Sequence, residues 1–137
     1  MNIDKFNREH ANLLVLVTEL RELVQLGVAE HAEAIVKLLM SISSMVKLHL
    51  AAEDRVLYPA LANSADPRVA QLGRQFQAEM GGLAAAYTTF AAHWNLAGKV
   101  AADPQRFRDE ANTVFKALHQ RIQRESRELY PLAEQHA

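Results

Sequence analysis

Beginning at Glu53 and again at Glu125, the chain reads E-x-R-x-L-Y-P. Both glutamates fall on the apolar face of a long helical pattern, so each copy of the phrase directs a carboxylate toward the same core. The residue four positions earlier differs between the copies, being His49 in the first and Arg121 in the second. The repeat therefore predicts two copies of a helix pair whose chemistry differs at one position.

The spacing of His49 and Glu53 is suited to binding a cation. Residues four apart lie on one helical face, one turn from each other. Imidazole and carboxylate groups suit iron, zinc and manganese, and such groups converge from facing helices in the metal sites of bundles. Burying a bare carboxylate costs several kcal/mol. We therefore expect positive charge beside Glu53 and Glu125, either an ion or the guanidinium of Arg121.

The elements that must position these groups are helices. Good helix formers dominate the sequence, and alternating strand patterns do not occur. Four helices are predicted, at about Asp4 to Leu26, Ala29 to Ala62, Pro67 to Ala97 and Pro104 to Gln135. Gly27 is expected to end the first, Asp66 and Asp103 to cap the third and fourth before a proline, and Pro59 to kink or end the second.

Four long helices with short loops predict an all-α, up-down-up-down bundle in one domain spanning residues 1–137. At about 1.5 Å of rise per residue, the polar residues on the inner faces share one layer, roughly 9–21 Å from one end of the bundle. These residues are His10, His49, Glu53, Arg121 and Glu125. Met80 on the third helix faces the same layer, whereas His31, His93 and His136 are expected to lie outside it.

Composition narrows the classes of function. The 137 residues are 50% hydrophobic and 23% charged, with a net charge of −1 and no cysteine. Such a chain is globular and large enough for a core, and it has no thiol chemistry. Its charge favours neither nucleic acid nor an anionic membrane. No apolar run approaches about 18 residues, so we expect a soluble, cytoplasmic protein.

These motifs resemble those of the hemerythrin-like HHE cation-binding family, whose four-helix bundles hold a non-haem di-iron centre. Glu9-His10 looks like the E-H of the first helix in that family. His49-x-x-x-Glu53 with its L-Y-P looks like the H-x-x-x-E helix, and Glu125 with its L-Y-P looks like the second such helix. The resemblance covers most of the chain.

Two positions depart from the family pattern. Arg121 stands where the fourth helix should carry histidine, and Met80, after Glu79, stands where the third should. The resemblance then implies that one half of the metal site survives and that the chain binds at most one metal in this pocket. The implied ligands are His10, His49, Glu53 and Glu125. As weaker candidates, Glu79 offers an oxygen, and His119 an imidazole if a local π-bulge turned it inward.

The resemblance implies a degenerate cation-binding protein for oxygen, redox or metal sensing or for iron handling. A single iron is expected rather than a di-iron pair, with zinc or manganese as alternatives, and dioxygen or another small ligand as the partner. No nucleophile–base pair or phosphate-binding glycine loop indicates an enzyme, so an enzyme with an open metal site ranks last.

The rival hypothesis is a metal-free regulatory or protein-interaction module. Arg121 would replace the charge of the metal in such a bundle. An exposed Trp94, Phe115 or Leu96 would then mark the surface for a protein partner or for a homodimer.

Overall fold

The computed structural model describes residues 2–136, the last of them by its backbone alone, and it is a helical bundle without strands in this range. The prediction of an all-α bundle is confirmed. The helices are α1 Asp4–Leu26, α2 Ala32–Ala52, α3 Tyr58–Ala62, α4 Pro67–Met80, α5 Leu83–His93, α6 Ala97–Ala102, α7 Pro104–Arg124 and α8 Tyr130–His136. Helix α1, the α2–α3 pair, the α4–α5 pair and the α7–α8 pair form the four rods. The predicted position of His136 concerns a side chain outside the described residues.

The predicted helix ends are largely confirmed. Gly27 follows α1 with φ at +129°, a conformation that favours glycine, and its N–H donates to Val24 O. Asp66 accepts a hydrogen bond from the N–H of Arg68 at 2.9 Å, and Asp103 accepts a longer one from that of Arg106. Both aspartates cap helices that begin with proline, as their sequence predicts.

Two predicted helices differ from those observed. The second begins at Ala32 rather than Ala29, because residues 28–31 form the turn between the first two rods. The third is not continuous from Pro67 to Ala97: it breaks at Gly81 and Gly82, resumes as α5 and ends at His93. Each of the two consecutive glycines destabilises the helix by about 1 kcal/mol. This is enough to interrupt the helix at these two residues, because the adjacent backbone carbonyl of Met80 has another hydrogen-bond partner.

Pro59 does not end its helix, contrary to one of the two outcomes expected for it. A π-helical turn, Glu53–Leu57, joins α2 to α3, and the N–H of Tyr58 donates to Glu53 O five residues back. A second π-helical turn, Glu125–Leu129, joins α7 to α8 in the same way before Pro131. Widening the turn accommodates a proline that has no N–H to donate and whose ring would clash with the preceding turn.

The apolar core is divided in two. A larger cluster fills the bundle from Leu13 to the far end and includes Ile42, Phe107 and Leu118. A smaller cluster, with Phe76 among its members, closes the near end around α3, α4 and α8. Polar side chains separate the two clusters, so the layer predicted from sequence exists and is enclosed by apolar packing on both sides.

One segment among the described residues, Ala32–Ala62, is long and apolar enough to cross a membrane by length and mean hydropathy alone. The core helix of a soluble protein satisfies the same criterion. Here the segment contributes the buried faces of α2 and α3 to both core clusters, and it carries the buried His49 and Glu53. These features are consistent with a soluble bundle, whereas the cytoplasmic location stays a prediction.

The two glycines of the third rod provide a matched pair of variants. A Cβ at Gly81 would lie 2.8 Å from Gln77 O, whereas a Cβ at Gly82 meets nothing within 4 Å. We expect Gly81→Ala to lower the free energy of unfolding by about 1–3 kcal/mol through overpacking. Gly82→Ala, at negative φ, should raise it by about 0.4–1 kcal/mol. Urea unfolding measures the free energy of unfolding of both variants. Equal effects of the two substitutions would contradict the close approach of Gly81 to Gln77 O.

Candidate metal centre

Five polar side chains form the layer, and all are buried. His10 is 4% exposed and His49 1%, while Glu53, Arg121 and Glu125 are each 0% exposed. They come from α1, from α2 and its π-helical turn, and from α7 and its π-helical turn. The third rod contributes only a backbone carbonyl, that of Met80.

The two copies of the E-x-R-x-L-Y-P phrase give the two buried carboxylates equivalent hydrogen-bond partners. The Tyr58 hydroxyl donates to Glu125 Oε2, and the Tyr130 hydroxyl donates to Glu53 Oε2. Each copy therefore supplies one glutamate to the layer and one tyrosine to the glutamate of the other copy. Burial is the main reason why the pKa of both tyrosines is raised, and the adjacent carboxylates raise it further. Both tyrosines therefore remain neutral hydrogen-bond donors.

The first five residues of each E-x-R-x-L-Y-P phrase form one π-helical turn. Each turn begins at the glutamate and ends at the leucine, and the tyrosine N–H closes it. The glutamate and the tyrosine of one phrase thus stand at the two ends of a single widened turn. Turns of this kind are frequent at functional sites because they reposition side chains within an otherwise regular helix.

Arg121 supplies the fixed positive charge of the layer. Its Nε donates to Glu125 Oε2 (3.3 Å), and its Nη2 donates to Glu53 Oε1 (3.2 Å) and to Asp54 Oδ1 (3.0 Å). Its Nη1 donates to Met80 O at 3.2 Å, beside the break between α4 and α5. The guanidinium therefore bridges both buried glutamates, and the broken third rod supplies it with an acceptor.

The two histidines are oriented by groups at the edge of the layer. His49 Nδ1 donates to Glu9 Oε1 at 2.9 Å, and His10 Nδ1 shares a hydrogen bond of 3.1 Å with Ser126 Oγ. Both Nε2 atoms therefore point into the layer. Metal-binding histidines in proteins are held in this way, with the second ring nitrogen fixed by a carboxylate or another polar group.

The Nε2 atom of His49 has no hydrogen-bond partner although it is buried. Glu53 Oε1 lies 3.1 Å away, but outside hydrogen-bond geometry. His10 Nε2, by contrast, is 2.7 Å from the Tyr130 hydroxyl and 3.2 Å from Glu125 Oε1. An unpartnered, buried imidazole nitrogen directed at a carboxylate is the arrangement that a shared cation would satisfy.

Charges in the layer are unevenly distributed. Burial alone would raise the pKa of Glu53, but contacts with His49 and Arg121 hold it below its usual value. Burial raises the pKa of Glu125, and repulsion from Glu53 raises it further. Burial also lowers the pKa of His10 to about 4, so that its neutral form is favoured. A neutral imidazole is the form that binds metal.

Four side chains of the layer could hold one cation. One donor atom from each of His10, His49, Glu53 and Glu125 lies within 4.8 Å of every other. Four donors bound tetrahedrally at about 2.0–2.2 Å from one ion lie about 3.4 Å from one another, so the most widely separated donors would have to approach each other by up to about 1.4 Å. These residues fit one ion of the iron, zinc or manganese type, and their role as ligands stays a prediction.

The weaker candidates are not brought to the layer. Glu79 is exposed, and its carboxylate accepts hydrogen bonds from Arg124 and Gln75 at the surface. His119 lies outside the four-residue cluster and lines a groove between α1 and α7, because the π-helical turn of the fourth rod begins after it, at Glu125. Neither residue belongs to the cluster of four potential donors, and the weaker alternative that Glu79 or His119 supplies a ligand stays a prediction.

Met80 is partly buried and packs against the smaller core cluster. Two of the proposed partner-surface residues are not exposed. Trp94 is 1% exposed, with its Nε1 donating to Glu110, and Phe115 is 8% exposed. Both belong to the larger core cluster, so of the three residues only Leu96, at 57%, is exposed.

Several supporting residues escaped prediction. Asp54 and Ser126 each follow the glutamate of their phrase, and they bind Arg121 and His10 respectively. Glu9, noted only as a neighbour of His10, orients His49. Asp54 and Ser126 occupy the same position in the repeat, which could have indicated that both contact the polar layer. Their different side chains made this shared role hard to recognise in the sequence.

A family model for the hemerythrin HHE cation-binding domain matches residues 1–133. The chain belongs to this family. The hemerythrin HHE domain implies cation binding, and the cluster of His10, His49, Glu53 and Glu125 could hold the cation. No individual curated protein and no solved structure matches the chain significantly.

Arg121 and Arg124 allow a direct test of charge balance within this hemerythrin-type bundle. In metal-free protein, Arg121→Met should lower the free energy of unfolding by about 3 kcal/mol or more, because buried carboxylate loses its partner. Arg124 pairs with Glu79 and Glu128 at the surface, so Arg124→Met should cost about 1 kcal/mol or less. Urea unfolding in EDTA gives both values. A loss below about 1 kcal/mol for Arg121→Met would show that the guanidinium does not balance the glutamates.

Proposed function

We propose that this protein is a hemerythrin-type domain that binds a single divalent metal ion through His10, His49, Glu53 and Glu125. Iron is the favoured ion, with zinc and manganese as alternatives. The observation that carries the proposal is the buried Nε2 of His49, which has no hydrogen-bond partner and belongs to a residue clustered with three other potential donors. Iron or manganese would supply a redox centre there, and zinc a Lewis acid.

The proposed role is sensing of oxygen, redox state or metal, or the handling of iron, rather than dioxygen transport. In the family arrangement, the missing histidines at positions 80 and 121 are the terminal nitrogen ligands of one of two metals. The guanidinium of Arg121 hydrogen-bonds both glutamates, which supports the proposal that it replaces the second metal. A dioxygen carrier with a bridged pair of metals is therefore disfavoured by the residues themselves.

The residues of the chain would do the remaining work. His10 and His49 hold their Nε2 atoms inward through Ser126 and Glu9. Tyr58 and Tyr130 orient the carboxylates, and the two apolar clusters exclude water from above and below.

A second function is favoured by a different observation. Each glutamate has both carboxylate oxygens in contact with a donor or an imidazole nitrogen: Glu53 contacts Arg121 and Tyr130, and Glu125 contacts Arg121, Tyr58 and His10. The layer can therefore persist without metal, as a regulatory or protein-interaction module would require. Melting unchanged by EDTA, together with no bound metal, would support this alternative.

Metal content separates the two functions. Protein purified without chelator should contain about one equivalent of metal, and His49→Ala should lose it because the unpartnered donor is removed. His93→Ala is the matched control, since His93 is exposed on α5 and lies outside the cluster. Elemental analysis gives the stoichiometry. Metal retained by His49→Ala, or absent from the unmodified protein, would overturn the single-metal proposal.

Restoring the missing histidines tests why only one metal is expected. Combining Arg121→His with Met80→His removes the fixed charge and adds two imidazoles, so the stoichiometry should rise to about two equivalents. Met80→His alone leaves Arg121 in place and should stay at about one. Folding of each variant is checked by circular dichroism. A folded double variant that still binds one equivalent would mean that positions 80 and 121 are not the lost ligand positions.

A further inference from the structure

A groove runs between α1 and α7, on the side of the bundle away from the helix break. Its volume is about 310 Å³. Buried apolar side chains form its floor, among them Val17, Leu20 and Phe115. Side chains of both α1 and α7 line the groove, so a ligand bound in it would contact both helices.

The rim of the groove is basic. Arg21 on α1 and Lys116 on α7 are exposed and line it, and no acidic residue is among the lining residues. The residues three and four positions away from Arg21 and Lys116 on either side contain no carboxylate, so neither has an intrahelical acidic partner. Arg106 and Arg124, by contrast, each pair with an acid four residues away.

His119 completes the rim at the end nearer the polar layer. It lines the groove together with Lys116, one turn along the same face of α7. The histidine that sequence spacing left without a role in the metal centre thus lies beside two cationic side chains and above an apolar floor. Its imidazole adds a further hydrogen-bonding group to a rim that already lacks negative charge.

We propose that this groove binds a small amphipathic carboxylate, with its chain on the apolar floor and its carboxylate held by Arg21 and Lys116. Ligand sites of this size combine a largely apolar lining with a few polar groups that fix orientation. Cationic side chains form strong, charge-assisted hydrogen bonds with carboxylates. The floor selects an aliphatic chain, and the unpaired positive charge of the rim selects the acid over the alcohol. The proposal does not depend on metal in the polar layer.

Three probes test the chemistry of the ligand by calorimetric titration of the full chain: octanoate, octan-1-ol and acetate. Octanoate should bind at one site, while octan-1-ol, which lacks the charge, and acetate, which lacks the chain, should bind about tenfold more weakly or not at all. Equal binding of octanoate and octan-1-ol would overturn the role of the rim. Equal binding of octanoate and acetate would overturn the role of the floor.

Paired substitutions test the location. Arg21→Gln combined with Lys116→Gln should weaken octanoate binding by about tenfold or more. Lys37→Gln combined with Lys99→Gln makes the same change in charge on exposed positions outside the groove and should leave binding unchanged. Metal content should be the same in both double variants, which separates this site from the metal centre. Equal effects of the two pairs, or no detectable octanoate binding to the unmodified protein, would overturn the proposal.

Discussion

Two carboxylates buried at one level of a helical bundle require positive charge beside them, and the rest of the layer is arranged around that requirement. Glu53 and Glu125 are 0% exposed, and leaving either one ionised and unpartnered would cost several kcal/mol. Arg121 satisfies part of this need from within the chain. The tyrosine hydroxyls satisfy another part, because each donates to a carboxylate without adding charge.

Sequence reasoning recovered the bundle and the layer because both depend on periodicity. Helical spacing placed His10, His49, Glu53, Arg121 and Glu125 on inner faces, and an approximate rise per residue placed them at one height. The π-helical turns at Glu53 and Glu125 were not predicted. A proline in the sequence indicates that a helix is disturbed, but it does not indicate how the backbone adapts. Contacts of Asp54 and Ser126 depend on that adapted geometry and could not be read from spacing.

The break in the third rod shows a second limit of sequence reasoning. Gly81 and Gly82 predict a weakened helix at this point, but they do not predict which group contacts the backbone there. In the structure the adjacent carbonyl of Met80 accepts a hydrogen bond from Arg121, and a Cβ at Gly81 would contact the backbone of the previous turn. The break therefore lies beside the backbone carbonyl that accepts a hydrogen bond from Arg121.

Charge arithmetic in the layer supports the proposal of a single metal ion. The two buried carboxylates and the guanidinium carry a formal charge of minus one when both glutamates are ionised. One divalent ion changes this to plus one, whereas two would change it to plus three in a site enclosed by apolar packing. Arg121 cannot relieve that excess by losing its proton, because a guanidinium remains charged in proteins. The arginine thus stabilises the layer without metal and, in the proposed single-metal site, would oppose a second ion by the same fixed charge.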